Sequence, residues 1–161
     1  MDALLVSSLD DIDWILNLRG NDIAYNPVFI SYFIFFPVIE EGQQHHAKLF
    51  IDAPKVSDES VQNHLKANRV EVCPYDGIWE CLTDLTQNKK RIGYDENVCN
   101  QRLFEVIESA KPIHFDAAIE NVKAVKNPVE MQGMRNANIK NCASLIEYFA
   151  WMEDFLRKNP S

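Results

Sequence analysis

V-E-V-C-P-Y-D-G-I-W-E-C-L-T-D-L-T-Q-N-K-K-R-I-G-Y-D, Val70 to Asp95, is the stretch whose reading decides the fold. Val70 to Tyr75 is a short β-prone run and reads as a strand. Ile78, Trp79, Leu82 and Leu85 then recur at intervals of three and four, which predicts a helix with one inward face. Lys89 to Arg91 reads as a solvated turn, and Arg91 to Asp95 as a second strand. Strands alternating with helices point to an α/β layer with a partly parallel sheet.

The same alternation continues on both sides. Downstream, Leu103, Phe104, Val106 and Ile107 predict a helix that leads to a last short strand around Pro112 to Phe115. Upstream, Ser57 to Asn68 reads as a helix with an Asp or Ser cap. Ala47 to Asp52 reads as a strand paired in a hairpin, across the polar turn Glu40 to His46, with a long central strand from Val28 to Ile39. Ala3 to Ser7 predicts a buried strand, followed by a helix from Ser8 to a stop at Gly20. In that helix Ile12, Ile15, Leu16 and Leu18 face inward, and Asp10, Asp11 and Asp13 favour the positive end of its dipole. The expectation is an α/β domain whose partly parallel mixed sheet is opened by an antiparallel hairpin.

Lys123 to Asn127 reads as the approach to a separate unit. One long amphipathic helix follows from Asn127 to Arg157, with Pro128 in its first turn. Its apolar positions, among them Met131, Met134, Cys142, Leu145, Ile146, Phe149, Met152 and Leu156, form a stripe that requires a partner. Leu145, Ile146, Phe149, Met152, Phe155 and Leu156 are therefore expected to mediate self-association. The boundaries expected are 1–122 for the α/β domain and 123–161 for the linker and helix.

Composition narrows the function classes. A length of 161 residues suits one ordinary domain, and a net charge of −8 argues against binding a phosphate backbone. The most apolar run, Val28 to Ile39, is too short to span a bilayer and is interrupted by Ser31 and Pro37, so no membrane association is expected. The N-terminus lacks the order of a signal peptide, so a cytoplasmic protein is the expectation. Cys73, Cys81, Cys99 and Cys142 show no C-x-x-C spacing and read as reduced thiols.

Catalytic, cofactor and metal residues are expected to be absent from this segment. His45 and His46 are adjacent in a turn and would diverge. His64 reads as a helix-surface residue and His114 as a strand-end residue, each without a ligand partner at helical spacing. No glycine-rich phosphate loop or nucleophile elbow occurs. Leu9 to Tyr32 is the exception to plain packing, because Asn17, Arg19, Asn21, Asp22, Tyr25 and Asn26 crowd hydrogen-bonding groups around a helix end and the loop beyond it. Two readings stay open. Gly20 stops the helix, Arg19 caps its last carbonyls and the asparagines satisfy turns; or Asn17, Arg19, Asp22, Tyr25 and Asn26 form a substrate-access or interface surface.

W-I-L-N-L-R-G-N-D (Trp14 to Asp22), Y-N-P-V-F-I-S-Y (Tyr25 to Tyr32) and K-A-V-K-N-P-V-E-M-Q-G-M-R (Lys123 to Arg135) together resemble the three-domain, cytosolic Xaa-Pro aminopeptidases of the creatinase/prolidase family. The match brackets almost the whole chain. G-M-R-N-A-N-I-K (Gly133 to Lys140) alone would fit the wider family, including prolidases. The resemblance implies a creatinase/prolidase N-terminal-type domain, with a ribonuclease H-like mixed sheet flanked by helices, followed by a truncated first helix of the pita-bread catalytic domain. It implies a non-catalytic middle domain that shapes substrate access or dimerisation in a homodimer. It also implies that the parent enzyme hydrolyses peptides with proline second, using two divalent metal ions, commonly manganese, held by residues beyond this segment. The alternative is an aminopeptidase-like protein-binding module without catalysis, of the histone-chaperone type, for which an acidic chain would suit basic partners.

Overall fold

A computed structural model describes residues 1–38, 45–109, 112–115 and 117–159. The chain divides into two compact units, Met1–Asn121 and Val122–Ser161.

The first unit is a six-stranded mixed sheet with helices on both faces. Its strands are β1 (Ala3–Val6), β2 (Tyr32–Phe35), β3 (Ala47–Phe50), β4 (Val70–Cys73), β5 (Ile92–Tyr94) and β6 (Ile113–His114), in the order β4-β3-β2-β1-β5-β6. β2 pairs antiparallel with β1 and β3, while β3/β4, β1/β5 and β5/β6 are parallel. Helices link β3 to β4, β4 to β5 and β5 to β6, so β3/β4 and β5/β6 are direct parallel crossovers, whereas β1 meets β5 from a distant part of the chain and three strands stand between β4 and β5. Those helices are α2 (Glu59–Ala67), α3 (Gly77–Gln87) and α4 (Gln101–Glu108), with α1 (Leu9–Leu16) following β1. Asp58 caps α2 by accepting from the Ser60 amide, and Asn100 caps α4 by accepting from the Leu103 amide.

The two-residue period of the strands sorts their side chains into two cores. Leu5, Ile34, Phe50 and Ile92 pack with Ile78 and Leu82 of α3 and Leu103 and Ile107 of α4. Val6, Phe33, Leu49 and Val70 pack with Ile12 and Leu16 of α1 and Leu65 of α2. The sheet is thus covered on both faces, which explains why its central strands read as nearly continuous apolar runs.

Two expectations are corrected, one lies largely outside the described residues, and one short element is unexpected. The strand expected from Val28 to Ile39 is confined to four residues, because the chain before Tyr32 folds into the loop described below. The turn expected from Glu40 to His46 falls largely outside the described residues. A short 3₁₀ turn, Ala53–Val56, follows β3. Lys123 to Asn127 is not simply a linker, since α5 (Ala118–Ala124) already covers its first residues.

The second unit is dominated by α6 (Pro128–Lys158), 31 residues and roughly 46 Å long. It opens on a capping box: the Glu130 amide donates to Asn127 Oδ1 at 2.9 Å, and the Asn127 amide donates to Glu130 Oε2 at 2.8 Å. Glu153–Arg157 and Asp154–Lys158 pairs, both at 2.6 Å, span its last turn. None of its described residues is buried.

Candidate functional site

The polar loop expected after α1 begins earlier than Gly20. α1 ends at Leu16, and Asn17 takes the left-handed conformation, with φ 50°. An asparagine tolerates that region, and it lets the Leu18 amide reach back to the Asp13 carbonyl at 3.1 Å. Gly20 has a different role. A Cβ there would lie 2.7 Å from Phe29 Cβ and 2.8 Å from the Val28 carbonyl, so only hydrogen fits where the two arms of the loop cross. The Gly20 amide donates to the Pro27 carbonyl and the Asp22 amide to the Val28 carbonyl, each at 3.1 Å. Residues 20–28 therefore close on themselves above buried Phe29.

Charged groups fix this loop from both sides. Asp22 Oδ2 accepts from the Ile30 amide at 2.7 Å and from Lys55 Nζ at 2.6 Å. These two donors, Lys55 foremost, hold the Asp22 carboxyl below the usual carboxylate range. Lys55 also lies 3.9 Å from Asp52. Arg19 Nη1 donates to the carbonyls of Leu18 at 2.6 Å and Asp13 at 3.2 Å, the capping role read from the sequence.

Asp13 does not occupy the first helical turn. It lies on the inward face of α1, only 4% exposed, and neither carboxylate oxygen has a hydrogen-bond partner among the described residues. Burial pushes its carboxyl up to about 6, against the pull of Arg19 and the nearby Phe29 amide and with a further push from Asp10 and Asp22.

The loop and the 3₁₀ turn enclose a cleft of about 190 Å³, with Phe29, Ile51 and Val56 among its apolar lining and Arg19, Asp22 and Lys55 among its polar lining. Of the five residues singled out in the sequence, Arg19 and Asp22 meet here. Asn17 lines a different cleft, with Phe33 and His64. Tyr25, at φ 63° and wholly exposed, and Asn26 stand at the loop tip, where the Asn26 amide donates to the Ile23 carbonyl at 3.1 Å.

Lys55 and Asp13 are the members of this cluster that the sequence reading misses. No local pattern links Lys55 to a partner 33 residues away. Asp13 could have been found, because Leu9, Asp13 and Leu16 share one helical face. His64 is also more than a surface residue: its Nε2 lies 2.7 Å from the Leu16 carbonyl and ties α2 to the end of α1.

A metal centre does not fit the residues described. His114 approaches Glu96 at 3.4 Å and Glu108 at 4.0 Å, carboxylates that helical spacing does not reveal. Glu108 is shared with the Tyr94 hydroxyl, which donates to it at 2.8 Å. Among the described residues, no group of three His, Cys, Asp or Glu side chains could hold a metal ion.

Residues 1–130, from β1 into the first turn of α6, match the family described as Creatinase/Prolidase N-terminal domain. The chain belongs to that family. This creatinase/prolidase N-terminal domain is 37% identical, over 96% of its length, to a probable Xaa-Pro aminopeptidase P from Fusarium vanettenii, and covers 26% of it. It is 35% identical, over 95% of its length, to Xaa-Pro aminopeptidase 1 from Dictyostelium discoideum, and covers 23% of it. The chain thus spans about a quarter of the length of the curated relatives it matches. A crystal structure of X-prolyl aminopeptidase from Caenorhabditis elegans, described as a cytosolic enzyme with a di-nuclear active site, superposes with a TM-score of 0.82 at 29% identity. That match covers 98% of this chain and 25% of the other.

Proposed function

We propose that this chain serves as a non-catalytic domain of a cytoplasmic aminopeptidase that removes the residue preceding proline from peptide N-termini. One observation carries the reading: similarity to proteins named Xaa-Pro aminopeptidase runs through 95–96% of this chain, although the chain accounts for only 23–26% of their length. The metal ions of such an enzyme, manganese being the common choice in the family, would be held in the remaining three-quarters. Loop 17–31 would border the path of the peptide, because it combines a rigid backbone with an exposed arginine and an apolar cleft. The exposed apolar face of α6 would pair with a second copy of this chain.

A chimera tests the enzymatic part. This chain is exchanged for the corresponding quarter of the C. elegans enzyme, and Xaa-Pro peptide hydrolysis and bound metal are measured. The chimera is expected to bind metal and turn over, whereas this chain alone, dialysed against manganese, gives no turnover above background. Chelator-sensitive hydrolysis by this chain alone would overturn the non-catalytic assignment. A folded, metal-loaded chimera without activity would favour a protein-binding role.

A further inference from the structure

We propose that the cleft beside Arg19 binds a peptide segment carrying a carboxylate next to an aliphatic side chain. Arg19 supplies the first half of the argument. Its Nη1 is held by the carbonyls of Leu18 and Asp13, both fixed by the end of α1, so the orientation of the guanidinium plane is set before a ligand arrives. Its Nε and Nη2 have no hydrogen-bond partner among the described residues. That edge of an arginine matches the two oxygens of a carboxylate, and a preset orientation lowers the entropy lost on binding.

The neighbouring charges leave this role to Arg19. Lys55 is engaged by Asp22 at 2.6 Å, and Asp22 is further committed to the Ile30 amide, so this pair neither competes strongly for an anion nor repels it as a bare carboxylate would. Asp13 faces Arg19 from α1 but is buried and makes no hydrogen bond to it. Asp10 and Asp52 complete the local acidic groups, on α1 and ahead of the 3₁₀ turn.

The size and lining of the cleft supply the second half. At about 190 Å³ it falls below the ~300 Å³ at which small-molecule pockets begin, which disfavours a nucleotide or flavin. Phe29, Ile51 and Val56 suit one compact aliphatic side chain of the Leu or Pro class. The carboxylate could come from a peptide C-terminus or from an Asp or Glu side chain; the recognition chemistry is the same. The inference builds on the reading of loop 17–31 as peptide-facing, but its test involves no hydrolysis and so can fail independently.

The test is a titration of the ¹⁵N-labelled full chain at pH 7.5, following the backbone amides of Gly20, Asn21, Asp22 and Ile30. Three probes are compared: acetyl-Gly-Pro-Leu with a free C-terminus, the same peptide as its C-terminal amide, and acetyl-Gly-Glu-Leu amide. The free acid is expected to give saturable shifts at these amides with a Kd of roughly 1 mM, and the first amide to bind roughly tenfold or more weakly. Binding of the glutamyl amide as tight as the free acid identifies a side-chain carboxylate as the natural source; weaker binding identifies the C-terminus. Arg19→Gln is expected to abolish the shifts and Arg19→Lys to weaken them. Equal affinity for acid and amide on the unsubstituted chain, or no saturable shift at these amides, would overturn the assignment.

Discussion

Ile12 and Leu16 of α1 are four residues apart on one helical face, as are Leu145 and Phe149 of α6. Ile12 is 0% and Leu16 5% exposed, yet Leu145 and Phe149 are 52% and 56% exposed. The two pairs have the same spacing. Periodicity says that a face requires cover and is silent about what provides it. For α1 the sheet provides it, through Val6, Phe33 and Leu49. Along α6, Tyr148, Trp151 and Phe155 turn instead to one another, with ring centroids 6.0 and 5.5 Å apart.

The largest effect should therefore depend on which helix face is disturbed. Leu49→Ala removes a fully buried side chain from the α1-facing core and should cost about 2–5 kcal/mol of stability in urea denaturation. Leu156→Ala, at a position 59% exposed, should change folding by no more than about 0.5 kcal/mol. The same α6 face should instead govern association. The unsubstituted chain should dimerise in light scattering across a dilution series, and Phe149→Asp should leave a monomer. A native chain that stays monomeric at high concentration would remove the second copy as the cover for α6.

Legibility in the sequence follows the same division. Strands and helices of the sheet unit could be read because each has a complementary neighbour in the chain, and Ile78, Leu82, Leu103 and Ile107 all reach the core their spacing implies. What failed was decided by contacts between distant residues. Residue type points to Gly20 as the helix stop, whereas Asn17 ends α1 and Gly20 is required by the approach of Phe29. Arg19 and Asp22 stand out in the sequence as two of a group of polar residues with Asn17, Asn21, Tyr25 and Asn26, but Lys55 enters only through the fold. D-D-I-D reads as one acidic turn, which assigns Asp13 to dipole chemistry, whereas its burial depends on which side of α1 meets the sheet.

Asp13 carries the next largest expected effect. Its folded-state carboxyl titrates at about 6, above the ordinary 3.8, so the proton is bound more tightly in the folded chain. Below pH 3.8 both states are protonated and no penalty exists; the cost of ionisation grows from there and is complete above pH 6. Two units correspond to about 3 kcal/mol. Asp13→Asn should thus raise stability by about 2–3 kcal/mol at pH 7 and by little at pH 4, read as the difference between variant and unsubstituted denaturation curves at each pH. A gain that does not depend on pH would mean that shape or packing, not charge, is what the substitution relieves.

The smallest effect concerns the start of α6, where local chemistry acts without a packed core. Asn127 and Glu130 each accept the other's backbone amide, and both hydrogen bonds are exposed, so the cap competes with water rather than with an unsatisfied interior. Asn127→Ala should cost about 1 kcal/mol, and Asn127→Asp should retain most of the cap. Because a frayed first turn leaves the rest of a 31-residue helix intact, the loss should appear as faster hydrogen exchange at the Glu130 and Met131 amides. Exchange in β1 and β3 should be unchanged. If protection there falls by the same factor, the opening of α6 and the opening of the sheet are one event, and the contrast between the covered and the uncovered helix no longer describes two separate stabilities.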